Sequence, residues 1–237
     1  GPLSFNAPFN FLFMLNSHWP FGQAYCVINN FIANLTIASS VFTITATSID
    51  RYVAIVHPLK PRMSQKKAIS IIIIIWVCAS IFSMPTLLFS RTVDFRYGKQ
   101  IRTLCILIWP DGFAGQSFSD NVYNILFLLL TYVVPIISMA FTYTLIARVL
   151  WGSKGIGEFT EFQKESIKSK RKIVRMLMVV VVIFAICWLP YHLYFLYIYK
   201  FPEVVHYSFI QHVYLGIYWL AMSNSMYNWM IYCWMNK

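Results

Sequence analysis

Three adjacent residues, Asp50, Arg51 and Tyr52, stand where a long apolar stretch ends and a basic stretch begins. A charged pair at the edge of a membrane helix is costly unless it is paired, and it usually marks a functional site. Counted backwards, the apolar stretch reaches Cys26. A helix of about 25 residues at ~1.5 Å per residue is about 37 Å long, slightly more than the hydrocarbon core of a bilayer. We therefore expect Cys26 at one membrane face and the charged pair at the other.

An aromatic stripe on a later apolar segment is the second group of candidate residues. Its members recur at three- and four-residue spacing and share one helix face: Phe184, Trp188, Tyr191, His192 and Phe195. Such a stripe is more often core than functional site, but a histidine in hydrocarbon needs a polar partner or a water-filled cavity. Pro190 interrupts the same segment and predicts a hinge, because proline frees a backbone carbonyl.

Polar side chains lie at a similar depth on the other apolar segments: Asn6, Asn10, Asn29, Asn30, Thr86, Gln211, Tyr214 and Tyr218. Together with the aromatic rings they predict a cavity that opens to the outside. This cavity would offer hydrogen bonds and stacking but no fixed intramembrane charge, so it suits a peptide better than a small ion.

The elements that must position these residues are membrane helices. Of the 237 residues, 59% are hydrophobic and 11% are charged, which leaves more apolar surface than a soluble domain of this size could bury. Six apolar segments predict one all-α transmembrane bundle, with spans at residues 3–15 (partial), 24–56, 68–90, 120–151, 173–199 and 204–235. Five can cross a bilayer, whereas the first, at about 20 Å, is only part of a span.

The positive charges set the orientation of the bundle. The alternation of spans puts 14 of the 19 lysines and arginines on one side, which the positive-inside rule makes cytoplasmic. The formal net charge of +11 could suggest a nucleic-acid partner. Because the basic residues cluster between apolar spans, we instead expect membrane lipid as a partner and no nucleic acid.

The opposite, oxidising side of the membrane receives Cys26 and Cys105. We predict a disulfide between them, which would close a loop of about 80 residues and contribute roughly 4 kcal/mol. The alternative is two free surface thiols. The remaining cysteines lie within apolar spans, where a cysteine most simply acts as a small hydrophobic residue.

Several motifs resemble those of the rhodopsin-like G-protein-coupled receptors, and they occur in the same order. They are Cys26, Asp50-Arg51-Tyr52, Trp76, Pro135 with Tyr143, Cys187-Trp188-Leu189-Pro190, and Asn228 with Tyr232. Residues 185–192 and 219–223 resemble tachykinin receptors, and the chain as a whole looks closer to their invertebrate members. The resemblance implies a seven-transmembrane bundle of rhodopsin type that here lacks helix 1 and the inner half of helix 2.

The resemblance also implies a molecular switch. Arg51 would engage a heterotrimeric G protein once Asp50 releases it, and Tyr143 and Tyr232 would then swing toward Arg51. Trp188, with the phenylalanine one turn before it, would form a packing switch below the ligand. The residues given such roles are Asp50, Arg51, Tyr52, Tyr143, Phe184, Trp188, Pro190, Asn228 and Tyr232.

The implied ligand is a short amidated neuropeptide that would bind in the outer cavity. The same resemblance implies signalling through a Gq-type protein and a multi-pass location in the plasma membrane. It implies no cofactor. The residues matching the family's peptide pocket are Asn6, Asn10, Asn30, Tyr191, His192, Phe195, Tyr214 and Tyr218.

Other interpretations stay open. Trp229 stands where the family has proline after Asn228, which restores a backbone N–H and removes a kink. Without its first helix, the chain could be a non-signalling fragment or splice product of such a receptor. A receptor for another neuropeptide is a further alternative. A transporter or channel is disfavoured because the sequence lacks internal repeats, and an enzyme is disfavoured because it lacks metal-binding or Ser-His motifs.

Overall fold

The computed structural model describes residues 3–61, 63–97, 100–113, 116–152, 161–207 and 209–235. Within these ranges it leaves undescribed the side chains of residues 3–7, 97, 100, 161–163, 205–206, 225, 228–229 and 231–235. The helices are α1 (Leu3–Asn16), α2 (Gly22–Val56), α3 (Gln65–Phe89), α4 (Phe118–Leu128), α5 (Val134–Gly152), α6 (Glu161–Lys200) and α7 (Ile210–Met235). A π-helical segment, Leu129–Val133, joins α4 to α5, and a 3₁₀ turn, Pro202–His206, precedes α7.

Four spans in the described part of the chain are long and apolar enough to cross a membrane. They are Gly22–Val56, Gln65–Phe89, Phe118–Gly152 and Lys164–Lys200. The third runs through α4, the π-helical segment and α5 without a break. On α3 a run of isoleucines is more than half exposed, with Ile73 at 57% and Ile74 at 59%. Such a surface is stable only against lipid, so α3 lies at the periphery of the bundle.

The interior of the bundle is divided into two packed regions. The outer core joins α2, α4, α6 and α7 and consists of Ile37, Val41, Trp109, Tyr123, Phe127, Phe184, Cys187, Trp188 and Ala221. The inner core joins α5 to α6 and consists of Met139, Tyr143, Ile146, Leu150 and Val174. Helix α2 packs against both α3 and α5, and α6 contributes to both cores. The all-α prediction is therefore confirmed for the membrane part.

Between α3 and α4 the chain forms a β-hairpin that the sequence analysis did not predict. Strands β1 (Ser90–Tyr97) and β2 (Gln100–Trp109) are antiparallel, with Ser90 opposite Leu107, and a short β3 (Gly112–Phe113) pairs with the end of β2. The predicted disulfide is confirmed: Cys26 of α2 is bonded to Cys105 of β2, with the Cα atoms 5.7 Å apart. The disulfide fixes the hairpin over the outer end of α2.

Hydrogen bonds hold the hairpin from both sides. Gln23 of α2 donates to the carbonyl of Ser90 at 3.0 Å, and its side-chain oxygen accepts from the backbone N–H of Thr92 at 2.6 Å. On the other strand, the N–H of Trp19 donates to the carbonyl of Thr103 at 2.8 Å, and the N–H of Thr103 donates to His18 at 3.1 Å. The loop before α2 and the first turn of α2 thus fix the two strands by hydrogen bonds.

We predict that Gln23→Ala loosens β1 while leaving the helices in place. The substitution removes the hydrogen bonds to Ser90 and Thr92, each worth about 0.5–1.5 kcal/mol. Hydrogen exchange of the Thr92 amide should become about tenfold faster, with exchange in α2 unchanged. Gln116→Ala, at another exposed glutamine, is the matched control. Equal exchange in wild type and Gln23→Ala would contradict the role assigned to Gln23.

Candidate functional site

A cavity of about 400 Å³ opens at the outer end of the bundle. Residues of α1, α2, α3, α4, α6 and α7 line it, and strand β2 contributes Cys105, Ile106 and Leu107. The lining is largely aromatic rings and side-chain amides. This is the composition of a site that combines apolar contact with a few oriented hydrogen-bonding groups.

The structure brings together most of the residues predicted to bind a ligand. Those that line the cavity are Asn10, Asn30, Tyr191, His192, Phe195, Tyr214 and Tyr218. The side chain of Asn6, the remaining member of that group, lies outside the described residues. Thr86, predicted to lie at the same depth, also lines the cavity.

Asn10 is the point where three helices meet at the cavity wall. Its amide nitrogen donates to the Tyr218 hydroxyl of α7 at 3.1 Å, and its amide oxygen accepts from Asn29 of α2 at 2.9 Å. Asn29 is buried, at 3% exposure, and its hydrogen bond fixes the amide oxygen of Asn10. Because both sides of the Asn10 amide are engaged, its orientation in the cavity is fixed.

Two amides hold neighbouring elements together. Asn30 lines the cavity, yet its nitrogen donates to the Ser90 hydroxyl at 3.0 Å and contacts the Cys105 sulfur at 3.4 Å, so it also anchors the hairpin. Gln211 was expected in the cavity. It instead donates to the Met14 carbonyl and the Ser17 hydroxyl, both at 2.6 Å, and ties α7 to the end of α1.

The predicted aromatic stripe of α6 faces a second set of rings that sequence reasoning missed. His192, at 5% exposure, lies between Phe127 and Tyr132, with ring centroids 5.9 and 5.1 Å away. Tyr132 belongs to the π-helical segment, and its hydroxyl donates to the Ala185 carbonyl of α6 at 2.8 Å. Helical π-segments commonly occur at functional sites. The sequence carries no motif for this one, so it becomes visible only in the backbone hydrogen bonds of the structure.

The predicted packing pair lies in the outer core, on the same helix as the cavity-lining Tyr191 and His192. Trp188 and Phe184 are buried at 5% and 4% exposure, with ring centroids 6.2 Å apart. The Trp188 ring meets the Tyr191 ring edge-on at 5.4 Å. Helix α6 is continuous through Pro190, so the packing pair and the α6 residues that line the cavity belong to one element.

A carboxylate lines the cavity, contrary to the expectation that the cavity contains no fixed charge. Asp120 lies in the first turn of α4 and is 8% exposed. Its Oδ1 accepts from the indole N–H of Trp109 at 2.8 Å, and its Oδ2 accepts from Asn124 at 3.2 Å. The sequence placed Asp120 at the outer end of the predicted span 120–151, and only the fold shows that α4 begins beside the cavity.

Other outer carboxylates have different environments. Asp94 on β1 accepts from the Thr103 hydroxyl at 2.7 Å. Asp111 accepts from the Ser117 hydroxyl at 2.6 Å and from the N–H of Ser119 at 2.9 Å. These hydrogen bonds, that from Ser117 above all, lower the pKa of Asp111 to about 2. Neither Asp94 nor Asp111 is among the residues that line the cavity.

At the opposite end of the bundle, Asp50 and Arg51 form an ion pair of 3.4 Å. Both are partly exposed, at 30% and 42%. Tyr52 lies 3.4 Å from the His57 ring nitrogen. Tyr143 is buried in the inner core, and within the described residues its hydroxyl has no hydrogen-bond partner. Two further predicted switch residues, Asn228 and Tyr232, lie on α7 with side chains outside the described part.

Arg171 fastens the inner end of α6 to the end of α5. Its guanidinium donates to the Leu150 carbonyl through Nε at 3.0 Å and through Nη2 at 2.5 Å. It also lies over the Trp151 ring, 5.4 Å from the centroid, and Arg175 lies 5.8 Å from the same ring. Carbonyls at a helix C-terminus lack partners within the helix, and a nearby cation stabilises them.

A bundle with an outer polar cavity and an inner charged pair is the arrangement of a seven-transmembrane receptor, and comparison with known proteins agrees. Residues 3–232 match the family described as 7 transmembrane receptor (rhodopsin family). The chain belongs to this family, whose members are receptors rather than enzymes, and it is a multi-pass protein of the plasma membrane. The predicted family and fold class are thereby confirmed.

Among individual relatives, the chain is 55% identical over 236 residues to the tachykinin-like peptides receptor 86C of Drosophila melanogaster, covering 99% of the chain and 47% of that receptor. It is 51% identical over 235 residues to the receptor 99D of the same fly, covering 99% and 45%. To the human neuromedin-K receptor it is 41% identical over 234 residues, covering 99% and 49%. The predicted likeness to tachykinin receptors, closer to invertebrate ones, is confirmed. The chain spans about half the length of these relatives.

We predict that Arg171→Ala frees the inner end of α6. Hydrogen bonds from a charged donor are worth about 1.5–3 kcal/mol, and this substitution removes both of those to Leu150. Spin labels at the exposed positions Val149 and Lys168 should report a broader and longer distance distribution by pulsed electron resonance. Lys172→Ala, at the exposed neighbouring position, should leave the distribution unchanged. An unchanged distribution in Arg171→Ala would show that α6 is held by other contacts.

Proposed function

We propose that this chain is the membrane core of a receptor that binds a tachykinin-like, C-terminally amidated peptide and activates a Gq-type heterotrimeric G protein. The observation that carries the proposal is the outer cavity, built from the residues that match the family's peptide pocket. The two fly relatives are tachykinin-like peptide receptors, which supports the ligand class.

The size and lining of the cavity suit the end of a peptide. A volume of about 400 Å³ accommodates a few residues rather than a folded partner. A peptide terminus that ends in an amide presents both donors and acceptors, and so do the side-chain amides of Asn10, Asn34 and Asn124 in the lining. The tyrosine rings of α6 and α7 supply apolar contact and hydroxyls beside them.

In this proposal, helix α6 transmits peptide binding from the outer cavity to the cytoplasmic face. A ligand pressed against Tyr191 and His192 contacts the same helix that carries Trp188 below and Arg171 at the inner end. In this proposal, displacement of Trp188 tilts α6 away from α5. Arg51 then leaves Asp50 for the G protein, and Tyr143 and Tyr232 turn toward the vacated space.

A cellular assay tests this function. The chain is expressed alone and as a chimera that carries the remaining segments of the fly 86C receptor, since the chain spans about half of that relative. A synthetic amidated tachykinin-like peptide should raise cytosolic calcium through the chimera, and cells lacking Gq proteins should not respond. If the chimera responds and the chain alone does not, the chain is a non-signalling part of such a receptor. A peptide-evoked current without any calcium response from either form would contradict the receptor function.

We predict that Tyr218→Phe weakens the peptide response by about two- to tenfold. The substitution removes the hydroxyl that orients Asn10, and one such hydrogen bond is worth about 0.5–1.5 kcal/mol. The measurement is the calcium dose–response of the chimera. Tyr197→Phe, at a 51% exposed position of α6 that faces away from the cavity, is the matched control. If the peptide were equally potent on Tyr218→Phe and on Tyr197→Phe, the hydrogen bond between Asn10 and Tyr218 would have no role in peptide binding.

A further inference from the structure

We propose that the bound peptide lies along strand β2 as an additional β-strand, with its backbone hydrogen-bonded to Cys105 and Leu107. The inference rests on the proposed function for the ligand being a peptide, and it specifies how that peptide is held. Its support is the direction in which the backbone groups of β2 point and the position of β2 at the cavity.

The first observation is the hydrogen-bond pattern along the hairpin. In an antiparallel pair, every second residue turns its N–H and C=O away from the partner strand. Thr103 of β2 is such a residue, because its C=O accepts from the N–H of Trp19 and its N–H donates to the ring of His18. On β1, the N–H of Thr92 likewise leaves the hairpin and donates to Gln23.

Two further residues of β2 share this direction. Cys105 lies opposite Thr92, and Leu107 lies two residues further along, so both turn their N–H and C=O away from β1. At the end of the strand, Trp109 pairs with Gly112 of β3 on that same side. In the part of the chain that the structure describes, this edge of β2 is therefore paired at both ends and open at Cys105 and Leu107.

The second observation is where the open stretch lies. Residues 105–107 line the cavity, and so does Trp19, which pairs beside them. From Thr103 to Trp109 the strand is about 20 Å long at ~3.4 Å per residue, which leaves space for about three residues of an added strand between the paired ends. A cavity of about 400 Å³ accommodates a segment of that length.

The sequence of the open stretch supports the same use. An edge strand is normally protected from further pairing by charged side chains, proline or a bulge. Residues 103–109 read Thr-Leu-Cys-Ile-Leu-Ile-Trp, with neither a charged residue nor proline. Such an edge accepts an extended peptide through backbone hydrogen bonds, while alternate side chains of the peptide provide specificity. Because the disulfide from Cys26 fixes β2 to α2, the strand is in position before a ligand binds.

Ester substitution in the peptide tests the pairing without altering any side chain. Each backbone amide of a synthetic amidated tachykinin-like peptide is replaced in turn by an ester, which keeps the shape but removes the N–H. Affinity for the chimera is measured by competition with the fluorescently labelled unmodified peptide. We expect esters at two positions separated by one residue to lower the affinity by about two- to tenfold, and the ester between them to have no effect.

Proline substitution supplies the matching test in the protein. Leu107→Pro removes an N–H that points away from β1, so the hydrogen bonds of the hairpin are kept. It should lower the affinity of the unmodified peptide about two- to tenfold below that of Leu107→Ala, which keeps the N–H and controls for the lost side chain. Ile101→Pro removes an N–H of the same direction at an exposed position outside the cavity lining, and it should leave the affinity unchanged.

The outcomes separate this pairing from the proposed function. If the unmodified peptide raises calcium through the chimera but the ester series shows no alternation, the pairing is overturned and the receptor function stands. If the alternation appears in binding without any calcium response, the pairing stands and the proposed signalling fails. Equal affinity of Leu107→Pro and Leu107→Ala, or no binding of any peptide, would also overturn the pairing. The ester series uses the unmodified chain, so it decides the question even if Leu107→Pro does not fold.

Discussion

Hydrocarbon contains no water to satisfy a polar group, and this constraint orders the whole bundle. Along α2 the hydroxyls of Thr43, Thr45 and Thr47 donate to carbonyls one turn back, at 2.7, 2.9 and 2.8 Å. An amide carries two donors and an acceptor, and its own helix cannot satisfy them all. Amides therefore gather where helices meet, as Asn10 does between α1, α2 and α7. The place where they gather is the outer cavity.

One rigid helix connects the outer cavity to the inner end of the protein. Helix α6 reaches from Arg171, beside the end of α5, to His192 at the cavity, and Trp188 lies between them. The same helix places Val174 in the inner core and Phe184 in the outer core. Since close-packed cores deform little, a change at the cavity has to be expressed as movement of the helix rather than absorbed locally.

Features set by local pattern could be predicted from the sequence, and features set by long-range placement could not. Hydropathy and charge placement predicted the membrane helices, and the sidedness of Cys26 and Cys105 predicted the disulfide. The hairpin left a weak signal, since Gly98-Lys99 separates two stretches rich in β-branched and aromatic residues. Nothing local could show that Trp109 turns Asp120 into the cavity, because that hydrogen bond depends on how β2 meets α4.

The π-helical segment between α4 and α5 acts as a phase correction along one span. A regular helix turns ~100° per residue, which would point Phe127 and Ile146 about 100° apart. The segment absorbs one extra residue, because the N–H of Val134 donates to the carbonyl of Leu129, five residues back. Phe127 can then fill the outer core while Ile146 fills the inner core. Deletion of one residue within 129–133 would restore a regular helix and keep both Phe127 and Ile146 facing the interior. Deletion of one residue elsewhere between them would rotate one of the two side chains toward lipid.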